Sequence, residues 1–146
     1  MNFKNFLLAT EPDFKDRMIQ DIWSYSDEEI ESIHDFIQIL FPLNKKSQSV
    51  FHGYYLDTDI LVQSLKGDDQ VKGNILKSSK WFLSFLKRHD CWKRGYNHNQ
   101  LRITRIIECL RLIVGDEEAD GFYQSIKTLS ENANLNNKTV EFWDNA

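Results

Sequence analysis

Apolar residues recur at intervals of three and four along most of this chain, and this spacing constrains its fold because it places them on one face of a helix. Strand signals are few and lie at residues 49–51 and 54–56, two short runs that would pair as a hairpin. The sequence therefore predicts an all-α fold. The longest periodic segment contains Ile103, Ile106, Ile107, Leu110, Ile113 and Val114.

Two helices have clear ends in the sequence. Ser26 and Glu29 have the spacing of a capping box, and Pro42 cannot continue a helix, so we predict a helix over about 26–40. In the second helix, Asn99 is a candidate cap and Gly115 marks the end. Four further periodic segments, the last over 117–129, bring the total to about six helices.

The length of 146 residues is typical of one domain, and the hydrophobic content of 41% is enough to form a core. The sequence contains neither an internal repeat nor a linker rich in proline or serine. We therefore predict a compact single domain over 1–146, with a core of about 3–128. Residues 130–146 are predicted as a loop or tail, from which Phe142 and Trp143 could dock back.

The apolar runs are shorter than the roughly 18 residues of a membrane helix, and the first apolar run is too short for a signal peptide. We therefore expect no transmembrane segment and a cytoplasmic location, in which Cys91 and Cys109 stay reduced. The cysteines and histidines lack the spacing of a zinc site, and residues 67–73 lack the pattern of a phosphate-binding loop. The sequence predicts no metal and no cofactor.

The charge is unevenly distributed. The chain has a net charge of -4, which argues against a general nucleic-acid coat, and we expect no specific nucleic-acid partner. Residues 80–111, in contrast, hold two acidic side chains and eight basic ones. This segment either packs against acidic neighbours or forms an anion-binding face. Its basic residues are Lys80, Lys87, Arg88, Lys93, Arg94, Arg102, Arg105 and Arg111.

Polar residues crowd the first two turns of the helix that ends at Gly115. Arg102 and Arg105 are three residues apart, share one stripe, and oppose the helix dipole, which suggests an acidic partner or an anionic ligand. His34 and Gln38 are four apart on the other helix, beside its apolar face. We therefore predict a polar cleft between the two helices, with a tryptophan at the edge of any shallower groove. Its candidate ligand-binding residues are His34, Gln38, His98, Arg102, Arg105 and Trp92.

Two strings in these helices are uncommon. Residues 34–43 read His-Asp-Phe-Ile-Gln-Ile-Leu-Phe-Pro-Leu, and residues 98–107 read His-Asn-Gln-Leu-Arg-Ile-Thr-Arg-Ile-Ile. Both resemble blocks of the conserved domain of the opioid growth factor receptor family, in the same order. Trp23 and Trp92 lie where that family tends to carry tryptophans, and the resemblance covers roughly residues 3–128.

The resemblance implies a receptor-like binding domain. Animal members of that family are described as binding an enkephalin peptide at the nuclear envelope without being heptahelical membrane receptors, whereas this chain resembles stand-alone microbial or viral members. We predict a module that binds a peptide, a protein or a small anion. Two alternatives stay open: a small enzyme that uses His and Arg for acid–base catalysis and anion stabilisation in phosphoryl or ribosyl chemistry, and a purely structural polar network.

Overall fold

The computed structural model describes residues 1–47 and 53–146, and it confirms the all-α prediction. Those residues form nine α-helices where about six were expected, together with a short 3-10 helix (Cys91–Lys93) and a π-helix (Leu110–Val114). The hairpin predicted at 49–51 and 54–56 involves residues outside the described part. The α-helices are α1 (Phe3–Leu7), α2 (Ile19–Trp23), α3 (Asp27–Ser32), α4 (Ile37–Leu40), α5 (Asp59–Lys66), α6 (Asp69–Arg88), α7 (His98–Cys109), α8 (Asp116–Leu129) and α9 (Asn137–Asp144).

The chain divides into two compact units, Met1–Ser78 and Ser79–Ala146, and the boundary between them falls within α6. The prediction of a single domain over 1–146 stays a prediction. Among the described helices, none is long and apolar enough to cross a membrane.

The first unit contains α1 to α5 and the first half of α6. Its short helices each bury apolar side chains, among them Phe6, Ile22 and Ile30, which are fully inaccessible to solvent. The first turn of α6 is capped by Asp68, whose Oδ1 accepts hydrogen bonds from the backbone N–H groups of Gln70 and Val71. Side-chain caps of this kind compensate for the backbone donors that a helix leaves unpaired at its first turn.

The predicted helix over 26–40 is wrong between residues 33 and 36. Its capping box is present, with Ser26 Oγ 3.2 Å from the N–H nitrogen of Glu29, but α3 ends at Ser32 and Ile33 has an extended backbone. Arg17 explains the break, because its guanidinium donates to the side chain of Asp35 at 2.8 Å and to the backbone oxygen of Asp35 at 3.3 Å. The helix resumes as α4 and, as predicted, stops before Pro42.

The second unit is built around α7, which packs against α8 and α9. Asn97 caps α7, with its Oδ1 2.9 Å from the backbone nitrogen of Asn99, so the prediction of Asn99 as the cap is wrong by two residues. After Cys109 the backbone continues as the π-helix and ends at Gly115, as the sequence predicted. The predicted helix over 117–129 is confirmed as α8.

The prediction of a loop or tail over 130–146 is wrong for residues 137–144, which form α9. Trp143 is 3% exposed, and its indole N–H donates to the backbone oxygen of Gln100 at 3.1 Å. Thr139 donates to the side-chain oxygen of Gln100 at 2.9 Å. The helix is therefore stabilised by long-range contacts, although Phe142 stays exposed.

Candidate functional site

The residues predicted to bind a ligand fall in both units. His34 and Gln38 belong to the first unit, whereas Trp92, His98, Arg102 and Arg105 belong to the second. The prediction that they line one cleft stays a prediction.

In the first unit, His34 and Gln38 do not share a helix. His34 is exposed and lies in the segment between α3 and α4, and Gln38 is half-buried within α4 with its Oε1 atom buried. The expectation that they lie one helical turn apart on one face was wrong, because it depended on a continuous helix over 26–40.

In the second unit, His98, Arg102, Arg105 and Cys109 form a single stripe, which we call the α7 stripe. Their spacings of four, three and four residues place them on one face of α7. The Nε2 atom of His98 is buried, Arg102 is 7% exposed, and Cys109 is fully buried. The side chains of His98, Arg102 and Arg105 thus lie on the face of α7 that ends at the buried Cys109.

The two arginines of the stripe have different surroundings. Arg102 donates from Nη1 to Oδ1 of Asn99 at 3.1 Å, and Asn99 is itself only 2% exposed. Arg105 is half-buried, and its burial lowers the pKa of its guanidinium even though Cys109 and Glu108 act in the opposite direction. Burial also raises the pKa of the Cys109 thiol to about 12, so that thiol is neutral near pH 7. The two arginines of the stripe thus differ both in burial and in their neighbours.

Trp92 is a core residue. It is 1% exposed, its indole N–H donates to the backbone oxygen of Leu86 at 3.0 Å, and its ring centroid lies 6.4 Å from that of Trp143. These contacts favour a structural role for Trp92 rather than a place at the edge of an open groove.

Gln100 is a buried junction that the sequence interpretation missed. Its Nε2 donates to the backbone oxygens of Trp92 at 2.9 Å and Gly95 at 3.1 Å, while its Oε1 accepts from Thr139. The signal in the sequence was a polar residue at the start of a strongly apolar helix, which in a folded protein needs buried hydrogen-bond partners.

Arg17 forms a second polar cluster that was not predicted, in the first unit. Its guanidinium contacts the carboxylates of Asp13 at 2.7 Å and Asp35 at 2.8 Å, and its Nη1 lies 3.3 Å from the hydroxyl of Tyr25. Burial would lower the pKa of Arg17, but these partners outweigh burial and raise the pKa. The cluster joins the segment before α2 to the break after α3, so its role is structural.

Two neighbouring grooves, also missed, lie at the surface of the second unit. They have volumes of about 430 and 460 Å³, and both are lined by Thr128, Glu131, Ala133 and Asn134. The side chains of the α7 stripe line neither of these two grooves. Within residues 1–47 and 53–146, no group of three or more His, Cys, Asp or Glu side chains is arranged to hold a metal ion.

The fold and the site together define an all-α protein with a partly buried basic stripe on helix α7 of the second unit. No family model, no curated protein and no solved structure matches this chain. The resemblance to the opioid growth factor receptor family stays a hypothesis drawn from the two sequence strings.

Proposed function

We propose that this chain is a binding module for an anionic ligand, which Arg105 of the α7 stripe contacts directly. The observation that carries the proposal is the alignment of Arg102 and Arg105 on one face of α7, both withdrawn from solvent. The resemblance to a receptor-like family supports binding as the activity, although it does not identify a ligand.

The physical argument is electrostatic. A guanidinium that is withdrawn from water loses hydration, and an anion held by charge-assisted hydrogen bonds compensates for that loss. Burial is the largest influence on the pKa of Arg105 and acts to lower it, against the effects of Cys109 and Glu108. An added phosphate, sulfate or carboxylate group would therefore stabilise the charged form of Arg105.

The two arginines have separate roles in this proposal. Arg102 is buried against Asn99, and it positions the stripe and contributes positive potential. Arg105 is the more accessible of the two and presents the planar group that pairs with two oxygens of one anion. His98, one turn before Arg102, would complete the polar surface.

The test compares two sources of the same chemistry, inorganic phosphate and the peptide acetyl-DEDE-amide, by isothermal titration calorimetry. Arg105→Gln should weaken binding by about tenfold or more, because it removes the charge while keeping a side chain of similar length. Arg88→Gln is the matched control, since Arg88 is an exposed arginine at the end of α6 and lies outside the stripe.

If the wild-type chain binds neither probe at about 10 mM, or if both variants lose the same affinity, the proposal is wrong. Binding of phosphate alone identifies a small anion as the ligand, and preferential binding of the peptide identifies an acidic segment. Titration of Arg102→Gln tests the positioning role, because this variant should weaken binding together with stability.

We also propose a cytoplasmic location. Cys91 and Cys109 are free thiols, one exposed and one buried, and free thiols persist in reducing compartments. Fractionation of the source cells followed by immunodetection tests this location, and recovery of the chain outside the cytoplasmic fraction would contradict it.

A further inference from the structure

Helix α7 has a small net positive charge, which limits how much negative charge a ligand at Arg105 can bring. The helix spans His98–Cys109, and its charged side chains are Arg102, Arg105 and Glu108. With His98 neutral, two guanidiniums and one carboxylate give the helix a formal net charge of +1. A ligand that carries one negative charge balances this charge, whereas a ligand that carries two exceeds it.

Glu108 lies one helical turn after Arg105 on the same face of α7. Side chains three residues apart are neighbours on a helix surface, with Cβ atoms about 5–6 Å apart. Both residues are half-buried, so water and salt screen their charges less than at an exposed position. Burial lowers the pKa of Arg105 and the carboxylate of Glu108 acts in the opposite direction, so the two charges interact. A second negative group on a ligand bound at Arg105 would therefore be repelled by Glu108.

On the other side of Arg105 along the helix, the surface is apolar. Leu101 precedes Arg105 by four residues, which places both on one face, and it is 55% exposed. An apolar group that covers Leu101 is removed from water together with it, which is favourable. The same group placed over Glu108 would take a carboxylate out of water, which is costly. A ligand held at Arg105 by its acidic group is therefore stabilised by an apolar chain that runs toward Leu101.

A carboxylate matches Arg105 in both charge and shape. It carries one negative charge at neutral pH, whereas a phosphate monoester carries about −1.5 to −2. Its two oxygens accept a pair of parallel hydrogen bonds from the planar guanidinium. Among the anions that pair with arginine, a carboxylate on an apolar chain therefore fits this face of α7 best.

We propose that the ligand of the α7 stripe is an aliphatic monocarboxylate. Its carboxylate pairs with Arg105, its chain lies over Leu101, and Glu108 disfavours ligands that carry a second negative charge. This inference rests on the anion site proposed above, and it adds to that site the class of ligand and the residue that selects it.

The test of Glu108 compares butyrate with succinate, which have the same number of carbons but one and two carboxylates. Isothermal titration calorimetry at neutral pH and low ionic strength should show the wild-type chain binding butyrate about tenfold more tightly than succinate. Glu108→Gln should strengthen succinate binding by about tenfold and butyrate binding by less, because succinate brings the larger negative charge. Glu117→Gln is the matched control, since it removes the same charge from an exposed position in the first turn of α8.

The test of Leu101 compares hexanoate with acetate, which differ only in the length of the apolar chain. Hexanoate should bind the wild type more tightly, by about fourfold for each CH₂ group that is removed from water. Leu101→Ser should abolish most of this difference and leave acetate binding unchanged. Ile60→Ser, at an exposed position on α5, is the control. Far-UV circular dichroism checks that each variant folds.

The inference is overturned if the wild type binds succinate more tightly than butyrate, if it binds acetate and hexanoate alike, or if Glu108→Gln keeps the wild-type preference. The first two results need no variant. The anion site itself still stands in these cases if Arg105→Gln binds phosphate or butyrate more weakly than the wild type does. If the wild type binds none of the probes at about 10 mM, the site and its specificity are refuted together.

Discussion

Arg102 and Arg105 are the same chemical group at two levels of burial, and the level decides what each can do. The hydrogen bond between Arg102 and Asn99 lies inside the second unit, so the loss of either partner leaves a polar atom without hydration. Arg105 keeps part of its contact with water. The spacing of Arg102 and Arg105 along α7 therefore predicts that they share one face of the helix, but it does not predict that one is buried and the other half-buried.

Arg102→Ala should therefore lower the free energy of unfolding by about 3 kcal/mol, since it leaves a cavity and a buried amide oxygen. Arg105→Ala should cost only about 1 kcal/mol. Urea unfolding of the two variants beside the wild type measures both values. If both variants lose the same free energy of unfolding, the difference in exposure between the two arginines does not affect stability.

Thr139 offers a second test on a single hydrogen bond. Thr139→Val keeps the shape of the side chain and removes the donor to Gln100, which should cost about 1–3 kcal/mol because the acceptor stays buried. Thr128→Val, at an exposed position, should change stability by less than about 0.5 kcal/mol. Thermal unfolding followed by circular dichroism compares the two variants, and similar midpoints would contradict the role of Gln100.

At the scale of elements, the end of the π-helix depends on a glycine. Gly115 has φ of 155° and ψ of 161°, a conformation that is almost confined to glycine, and a Cβ built there would lie 2.7 Å from Oε2 of Glu118. This residue lets the chain leave the π-helix and begin α8 at once. The acidic first turn of α8 suits the positive end of its dipole.

Gly115→Ala should cost about 1–3 kcal/mol because of backbone strain. Gly121→Ala, in the middle of α8 with open space around the added methyl group, should instead stabilise the chain by about 0.5–1 kcal/mol. Denaturant unfolding of the two variants gives changes of opposite sign if this view of Gly115 is right. Two stabilised variants would refute it.

The elements that the sequence predicted well have local causes. The start of α3 depends on Ser26 and Glu29, and the end of the π-helix and the start of α8 depend on Gly115. The break after α3 depends on Arg17, 18 residues before its partner Asp35. Helix α9 depends on Gln100, which is 39 residues from Thr139. The spacing of residues within one segment cannot predict contacts between residues that lie so far apart in the sequence.

For the candidate site too, the sequence predicted what depends on local spacing and missed what depends on long-range packing. The alignment of His98, Arg102 and Arg105 follows from helical spacing, and the structure reproduces it. Trp92 packs against Trp143 of α9, and α9 lines one of the two grooves beside α8, whereas the sequence interpretation treated this segment as a tail. Thr139 and Trp143 of this segment donate hydrogen bonds to Gln100, a residue far away in the chain, and these contacts hold α9 against α7.

At the scale of the whole molecule, the Arg17 cluster links stability to pH. Burial would raise the pKa of Asp35, but hydrogen bonds from Lys15 and Arg17 outweigh burial and lower its pKa. A lowered pKa means that the folded state prefers the carboxylate. Its contribution to stability is therefore complete above the unfolded value of about 3.9 and is lost as the pH falls through the lower folded value.

This contribution to the free energy of unfolding should thus decrease as the pH falls below about 4, and Asp35→Asn should show a shallower decrease than the wild type. Urea unfolding at a series of pH values from neutral to acidic measures both slopes. Asp59→Asn, an exposed carboxylate on α5, is the control. Identical slopes for the wild type and Asp35→Asn would rule out this contribution.

The two thiols report on the intact fold. Cys91 is exposed, whereas Cys109 is fully buried with its pKa raised to about 12. Ellman's reagent should therefore modify Cys91 in the native chain and reach Cys109 only when the chain unfolds. The folded Cys91→Ser variant should therefore show no fast reaction with Ellman's reagent. A fast reaction in that variant would place Cys109 at the surface.

Gln100 limits how this sequence can diverge during evolution. Asparagine is too short to reach the same partners, and glutamate has no N–H to offer the backbone oxygens of Trp92 and Gly95. A change at Thr139 would leave the amide oxygen of Gln100 unpaired, and a change at Trp143 would remove the indole N–H that donates to the backbone oxygen of Gln100. Descendants of this chain are thus expected to change positions 100, 139 and 143 together or not at all.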